Sequence, residues 1–193
     1  MSTNNNDVVT IVSGLPRSGT SMMMQMIDKG GIPALKDEIR VADEDNPKGY
    51  YEFEPVKQTK EDPSWLERAG GKVVKMVYRL LYDLPGTYQY KIIYMQRKLE
   101  EVIASQNVML ERNAKGGGGL PDEKLLTVFK AEIDKSKQWL ADQPNFEVIY
   151  VNYNEMLADP QPQVQQLNGF LGGQMDTGAM LAVVDPTLYR QKR

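Results

Sequence analysis

The strongest constraint on the fold lies near the N-terminus. Val8-Val9-Thr10-Ile11-Val12 is a β-branched run bounded by polar asparagines before it and Gly14 after it. Such a run suits a strand buried on both faces, as strands of a parallel sheet are. Gly14-Leu15-Pro16-Arg17-Ser18-Gly19-Thr20-Ser21 follows, and then a helical pattern with Met22, Met23, Met26 and Ile27 on one face and Gly30-Gly31 at its end. The spacing predicts a helix over residues 18–29. A strand that passes through a glycine-spaced loop into a helix gathers backbone N–H groups and the positive helix end at one point.

Downstream, short β-branched runs alternate with longer helical stretches. Strands are predicted at residues 72–77, 91–95 and 147–152, a helix at 122–141, and a last amphipathic helix opening at Pro160 and carrying Val164, Leu167, Phe170 and Leu171. Alternation of this kind predicts an α/β fold: three layers, α/β/α, around a central parallel sheet with right-handed crossovers. The 193 residues make one domain, 1–193, with no internal repeat. Two stretches read as irregular: 43–55, acidic and then aromatic, and 115–120, where Gly116 to Gly119 suit either a connector or a lid. Met22, Met23 and Met24 read as core filler, and Trp65 and Trp139 as packing anchors.

Composition narrows the chemistry. The chain has neither cysteine nor histidine. Disulfides, thiol nucleophiles and the commonest zinc ligands and general base are thereby excluded, leaving Asp, Glu, Lys or Tyr for proton transfer. A formal charge of −3 gives no global attraction to nucleic acid or to an anionic membrane. The N-terminus is polar, and no apolar run approaches the roughly 20 residues needed to span a bilayer. The expected location is cytoplasmic.

The loop has the glycine spacing of a phosphate loop with one change: Thr20 stands where the usual lysine precedes the final hydroxyl residue. Backbone N–H groups, the helix end and Arg17 still form a cradle for an anion. The later strands end in Lys75-Met76-Val77, Gln96-Arg97 and Asn152-Tyr153, with no acid at the tip to hold Mg²⁺. The reading is an anion held without an obligatory metal, which argues against nucleotide hydrolysis.

Arg97 closes the third strand, and Ser105 lies eight residues on, two turns along the next helix. An arginine and a serine so placed can converge on one phosphate. Here the sequence strongly resembles the superfamily of sulfotransferases that use 3′-phosphoadenosine 5′-phosphosulfate (PAPS). Pro16-Arg17-Ser18-Gly19-Thr20-Ser21 looks like that family's 5′-phosphosulfate loop, Arg97 and Ser105 look like its 3′-phosphate pair, and residues 150–160 look like its "YEDL…DP" segment, continued by Phe170-Leu171-Gly172. The resemblance spans about residues 8 to 172. It implies a P-loop-like sulfotransferase fold, PAPS as co-substrate, adenosine 3′,5′-bisphosphate (PAP) as product, and Tyr153 beside the adenine, where a ring can stack. Many members carry Lys-Thr-His after the second strand; this chain keeps Lys75 and has Val77 in place of the histidine. Lys75 is thus expected to stabilise the bridging oxygen as the donor breaks, with Arg17 as the loop cation. The family's glycine-rich C-terminal phosphate segment is missing, and the basic tail with Arg190, Lys192 and Arg193 reads as a stand-in or simply as a tail.

Without histidine, the base is expected to be a carboxylate in residues 43–54, where several subfamilies place a glutamate. Glu52 is favoured because Tyr51 and Phe53 flank it and would strip it of water; Asp43, Glu44 and Glu54 are the alternatives. The expected reaction moves a sulfuryl group to a hydroxyl or amine on a small or carbohydrate-like acceptor. Two rivals remain at this stage: a silent nucleotide-binding protein of the same fold, and a P-loop small-molecule kinase.

Overall fold

A computed structural model describes residues 8–40, 42, 43, 46, 49–112 and 120–189. Four strands, β1 (Val8–Gly14), β2 (Val73–Lys75), β3 (Gln89–Gln96) and β4 (Phe146–Asn152), form one parallel sheet in the order β2-β1-β3-β4. β1 lies inside, with Ile11 opposite Val74 on one side and Ile92 on the other. β3 continues outward, with Ile93 opposite Ile149. Every residue of β1 after Val8 is buried, which is why the run shows no polar alternation.

The strands send alternate side chains into two separate cores. Val9, Ile11, Ile92 and Tyr94 pack on one face with Trp65, Leu66, Val102 and Leu140. That layer comprises α2 (Leu99–Arg112), α3 (Asp122–Ala141) and the 3₁₀ turns between β1 and β3. Val12, Ile93, Met95 and Val151 pack on the other with Met23, Met24, Val164 and Met180. That layer holds α1 (Thr20–Lys29), α4 (Tyr153–Ala158), α5 (Pro160–Phe170) and α6 (Thr177–Leu181). The three-layer α/β/α architecture read from the sequence is the one observed. Met23 and Met24 are core, whereas Met22 is only partly buried and borders a cavity; Trp65 is buried with its indole N–H donating to Thr59 Oγ1 at 3.0 Å, and Trp139 packs on Tyr82 and Phe146.

Some elements differ from expectation. α1 starts at Thr20 rather than Ser18, because Gly19 adopts φ 96° and holds the loop out of the helix. β2 is shorter than residues 72–77: the chain leaves the sheet after Lys75 for a 3₁₀ turn, Tyr78–Asp83, although the Met76 N–H still donates to the Val12 carbonyl. Beyond α5 the chain continues into α6 and a further turn, Pro186–Leu188, too short for a periodic pattern to reveal. Gly116–Gly119 and the tail at 190–193 lie outside the described residues.

The strand order places the site. β2 lies to one side of β1 and β3 to the other, so the connections after β1 and β3 diverge at the carboxyl ends of the strands. A ligand crevice opens where such a divergence occurs.

Candidate active site

The loop between β1 and α1 is shaped by close backbone approaches. A Cβ at Gly14 would lie 2.7 Å from the Met95 carbonyl oxygen, and one at Gly19 would lie 2.3 Å from the Tyr153 ring. Between these glycines Arg17 is itself left-handed, φ 70°. No side chain caps the start of α1, so its first N–H groups face the crevice rather than a serine or aspartate oxygen. Pro16, Arg17, Gly19, Thr20 and Ser21 border a cavity of about 480 Å³, in the size range of small-molecule sites. Ser18 is turned away: it is buried and its Oγ donates to the Leu15 carbonyl at 2.7 Å, tying the loop to itself.

Arg97, Ser105 and Tyr153 border the same cavity. The guanidinium of Arg97 lies over the Tyr153 ring, 4.7 Å from its centroid. Its Nε donates to Glu101 Oε2 at 2.9 Å and its Nη1 to the Arg17 carbonyl at 3.1 Å. Arg17 Nε in turn donates to Ser105 Oγ at 2.9 Å. The two clusters read separately in the sequence are therefore in contact. Glu101 is fully buried and also accepts from Asn154 Nδ2 at 3.1 Å and from the Tyr189 hydroxyl. Burial pushes its carboxyl up, but the hydrogen bonds from Tyr189, Arg97 and Asn154 outweigh burial and hold it below the usual glutamate value.

At the other end Lys75, from the tip of β2, reaches across the mouth of the loop. Its ammonium donates to Ser21 Oγ at 3.2 Å and to the Tyr50 carbonyl, and lies 3.9 Å from Glu52 Oε1. Desolvation lowers its pKa to about 8, against the opposing pull of Glu52, with Arg40 and Arg17 adding to the depression. Glu52 borders the cavity and accepts from Arg40 Nη1 at 2.9 Å. Glu52 has cationic neighbours, Arg40 at 2.9 Å and Lys75 at 3.9 Å, while Arg68 lies over the Phe53 ring and Lys36 over the Tyr51 ring. Asp43 holds the Tyr50 hydroxyl at 2.7 and 2.8 Å, and burial together with that bond pushes the phenol up to about 12. Glu54 pairs with Lys57 at 2.6 Å, and Glu44 lies outside the described residues. Among the described candidates for the base, Glu52 alone borders the cavity.

The model of the sulfotransferase domain family matches residues 7–193. The chain belongs to the sulfotransferase family. Among solved structures it is similar to mouse sulfotransferase SULT7A1 complexed with PAP, with TM-score 0.58, 19% identity, and coverage of 94% of this chain and 63% of that one. It is also similar to the sulfotransferase domain of the Synechococcus PCC 7002 olefin synthase, with TM-score 0.56, 14% identity, and coverage of 100% and 90%. Retinol dehydratase, in complex with androsterone and inactive cofactor PAP, gives TM-score 0.51 and 15% identity over 95% and 64%. At these identities the likeness is one of fold. The chain spans less than two-thirds of the mouse enzyme and of retinol dehydratase, but most of the olefin synthase domain. No curated protein matches the chain. The family read from Pro16–Ser21, Arg97, Ser105 and residues 150–160 is thus the family found.

Several groups around this cavity were not foreseen. Glu101 carried one signal, its position four residues after Arg97, where helical neighbours meet. Arg40, Asn46 and Tyr50 carried none: their segment has no periodicity, and only the fold brings Asn46 Nδ2 to Ser21 Oγ at 2.8 Å and Arg40 to the Tyr50 ring at 3.4 Å. Tyr189 comes from a turn beyond the last predicted element. Among the described residues no cluster of acids could hold a metal ion, and no helix is long and apolar enough to cross a membrane.

Proposed function

We propose that the chain is a single-domain, cytoplasmic, PAPS-dependent sulfotransferase acting on a hydroxyl or amine. The observation that carries this reading is the convergence of the uncapped loop helix and the Arg97–Ser105 pair on one cavity, with Arg17 joining them. In this reading the donor's 5′ end lies on the backbone of residues 16–21, Ser18 contributing its main chain only. Its 3′-phosphate lies on Arg97 and Ser105, and its adenine beside Tyr153. Two relatives of this fold are known as complexes with PAP, which supports the same ligand here.

The reaction then follows from the residues. Glu52 takes the acceptor's proton, the acceptor oxygen or nitrogen bonds to sulfur, and the bond from sulfur to the bridging oxygen breaks. Lys75 and Arg17 stabilise the charge that collects on that oxygen as PAP departs. Arg40 holds the Glu52 carboxylate in place. Nothing in this scheme calls on a metal. The acceptor part of the cavity is bordered by Phe53, Val56, Val77, Leu80, Val108 and Met109, which favours a partly apolar small molecule over a carbohydrate. Neither a nucleic acid nor a membrane enters as partner.

Calorimetry with PAP and with ATP, followed by transfer of labelled sulfuryl groups to a panel of alcohols and amines, tests the proposal. PAP should bind more tightly than ATP, with or without Mg²⁺, and Glu52→Gln should keep PAP affinity while turnover falls about 10²–10⁴-fold. Preference for Mg-ATP would indicate a kinase, and PAP binding without product on any acceptor would indicate a silent binding protein. Undiminished turnover in Glu52→Gln would remove Glu52 as the base.

A further inference from the structure

The proposed donor site contains an imbalance. Arg97, its 3′-phosphate arginine, faces a fully buried carboxylate, Glu101, at 2.9 Å, in an ion pair whose side chains are 8% and 0% exposed. Two of its three nitrogens are committed inside the protein, Nε to Glu101 and Nη1 to the Arg17 carbonyl. A cation so matched has little charge left for a phosphate dianion, and Ser105 adds a hydroxyl but no charge. A second cation is needed to balance the phosphate.

Arg17 meets that need. Its left-handed backbone, φ 70°, is a conformation that is unfavourable for a non-glycine residue. In that conformation its side chain reaches α2, where Nε donates to Ser105 Oγ at 2.9 Å. Its charge is felt on both sides of the cavity, at Tyr153 and at Lys75 and Tyr50. We infer that Arg17, besides its place in the 5′ loop, is the second cation of the 3′-phosphate subsite and so the residue that selects a donor phosphorylated on the 3′-hydroxyl. The inference rests on the reading of the cavity as a PAPS site. It adds that a residue placed by its loop at one end of the nucleotide governs specificity at the other.

The test compares PAP with AMP, which shares the adenosine and the 5′-phosphate but lacks the 3′-phosphate. Calorimetry is run on the wild-type protein, Arg17→Lys, Ser105→Ala and the double variant, with unfolding midpoints measured to show that each is folded. Lysine keeps the charge at the loop but cannot present the forked guanidinium to Ser105 and a phosphate together. Arg17→Lys should weaken PAP about 10–100-fold and AMP no more than about threefold. Its effect should be non-additive with that of Ser105→Ala for PAP and additive for AMP. Equal weakening of both ligands would confine Arg17 to the 5′ loop and overturn the inference while leaving the donor assignment standing. Failure of the wild-type protein to bind PAP at all would instead overturn the donor assignment, and this inference with it.

Discussion

Lys75 occupies an unusual position for a lysine, with its stem in the cavity wall and its ammonium shared between Ser21, the Tyr50 carbonyl and Glu52. Burial disfavours the charged form and Glu52 favours it, giving a pKa of about 8. The proton is therefore mostly present at pH 7 and is lost as pH rises through 8, more than two units before an ordinary lysine loses it. If Lys75 stabilises the departing oxygen, turnover should fall on the alkaline side with a midpoint near pH 8. Labelling of Lys75 by an amine-specific reagent should rise with the same midpoint. Glu52→Gln removes the carboxylate whose charge favours the protonated form, so the labelling midpoint should move below 8; an unchanged midpoint would show that Glu52 does not act on Lys75. The sequence marked Lys75 by its match to the family's strand-end lysine, and Glu52 by its flanking rings and by where the resemblance places a glutamate. It did not mark Arg40, whose bond to Glu52 depends on a loop path that no local pattern encodes.

At the scale of elements, the loop between β1 and α1 works only if its two glycines stay bare. Gly19→Ala combines a positive φ with a Cβ 2.3 Å from the Tyr153 ring, against which the backbone rests. The strained backbone alone should cost about 1–2 kcal/mol in chemical denaturation, and displacement of Tyr153 should weaken PAP more than tenfold. Gly31→Ala is the control: φ is 115° there, yet nothing lies within 4 Å. It should lose comparable stability and leave PAP affinity unchanged. These elements were legible in the sequence because each carries a local signal: buried parallel strands read as β-branched runs, and glycine spacing marks the loop. The early end of β2 was not, because Met76 continues the apolar pattern and its backbone still bonds to β1 after the strand has ended. α6 escaped notice because five residues are too few to display a period.

Across the whole molecule, the carboxylate of Glu101 joins parts far apart in the chain: Arg97 after β3, Asn154 on α4 and Tyr189 after the last turn. Removing it by Glu101→Ala should cost about 3 kcal/mol, since the Arg97 guanidinium would be left without its counter-charge. A glutamate held below its ordinary value of 4.5 contributes fully above that value, and the contribution fades as pH falls through the lower folded value. Wild-type stability should therefore drop on acidification below about pH 4.5, and Glu101→Gln should flatten that part of the curve in thermal unfolding at a series of pH values. A parallel loss in both proteins would place the acid sensitivity elsewhere. Sequence reading found the arginine of this network and missed its acid, because a buried charge declares itself only through partners that the fold supplies. Tyr189 lies 88 positions beyond Glu101. During synthesis the β1–α1 loop and β3 emerge early, yet the shell around Glu101 stays incomplete until residue 189 has cleared the ribosome. The setting of the Arg97 guanidinium is thus completed only when residue 189 docks against Glu101.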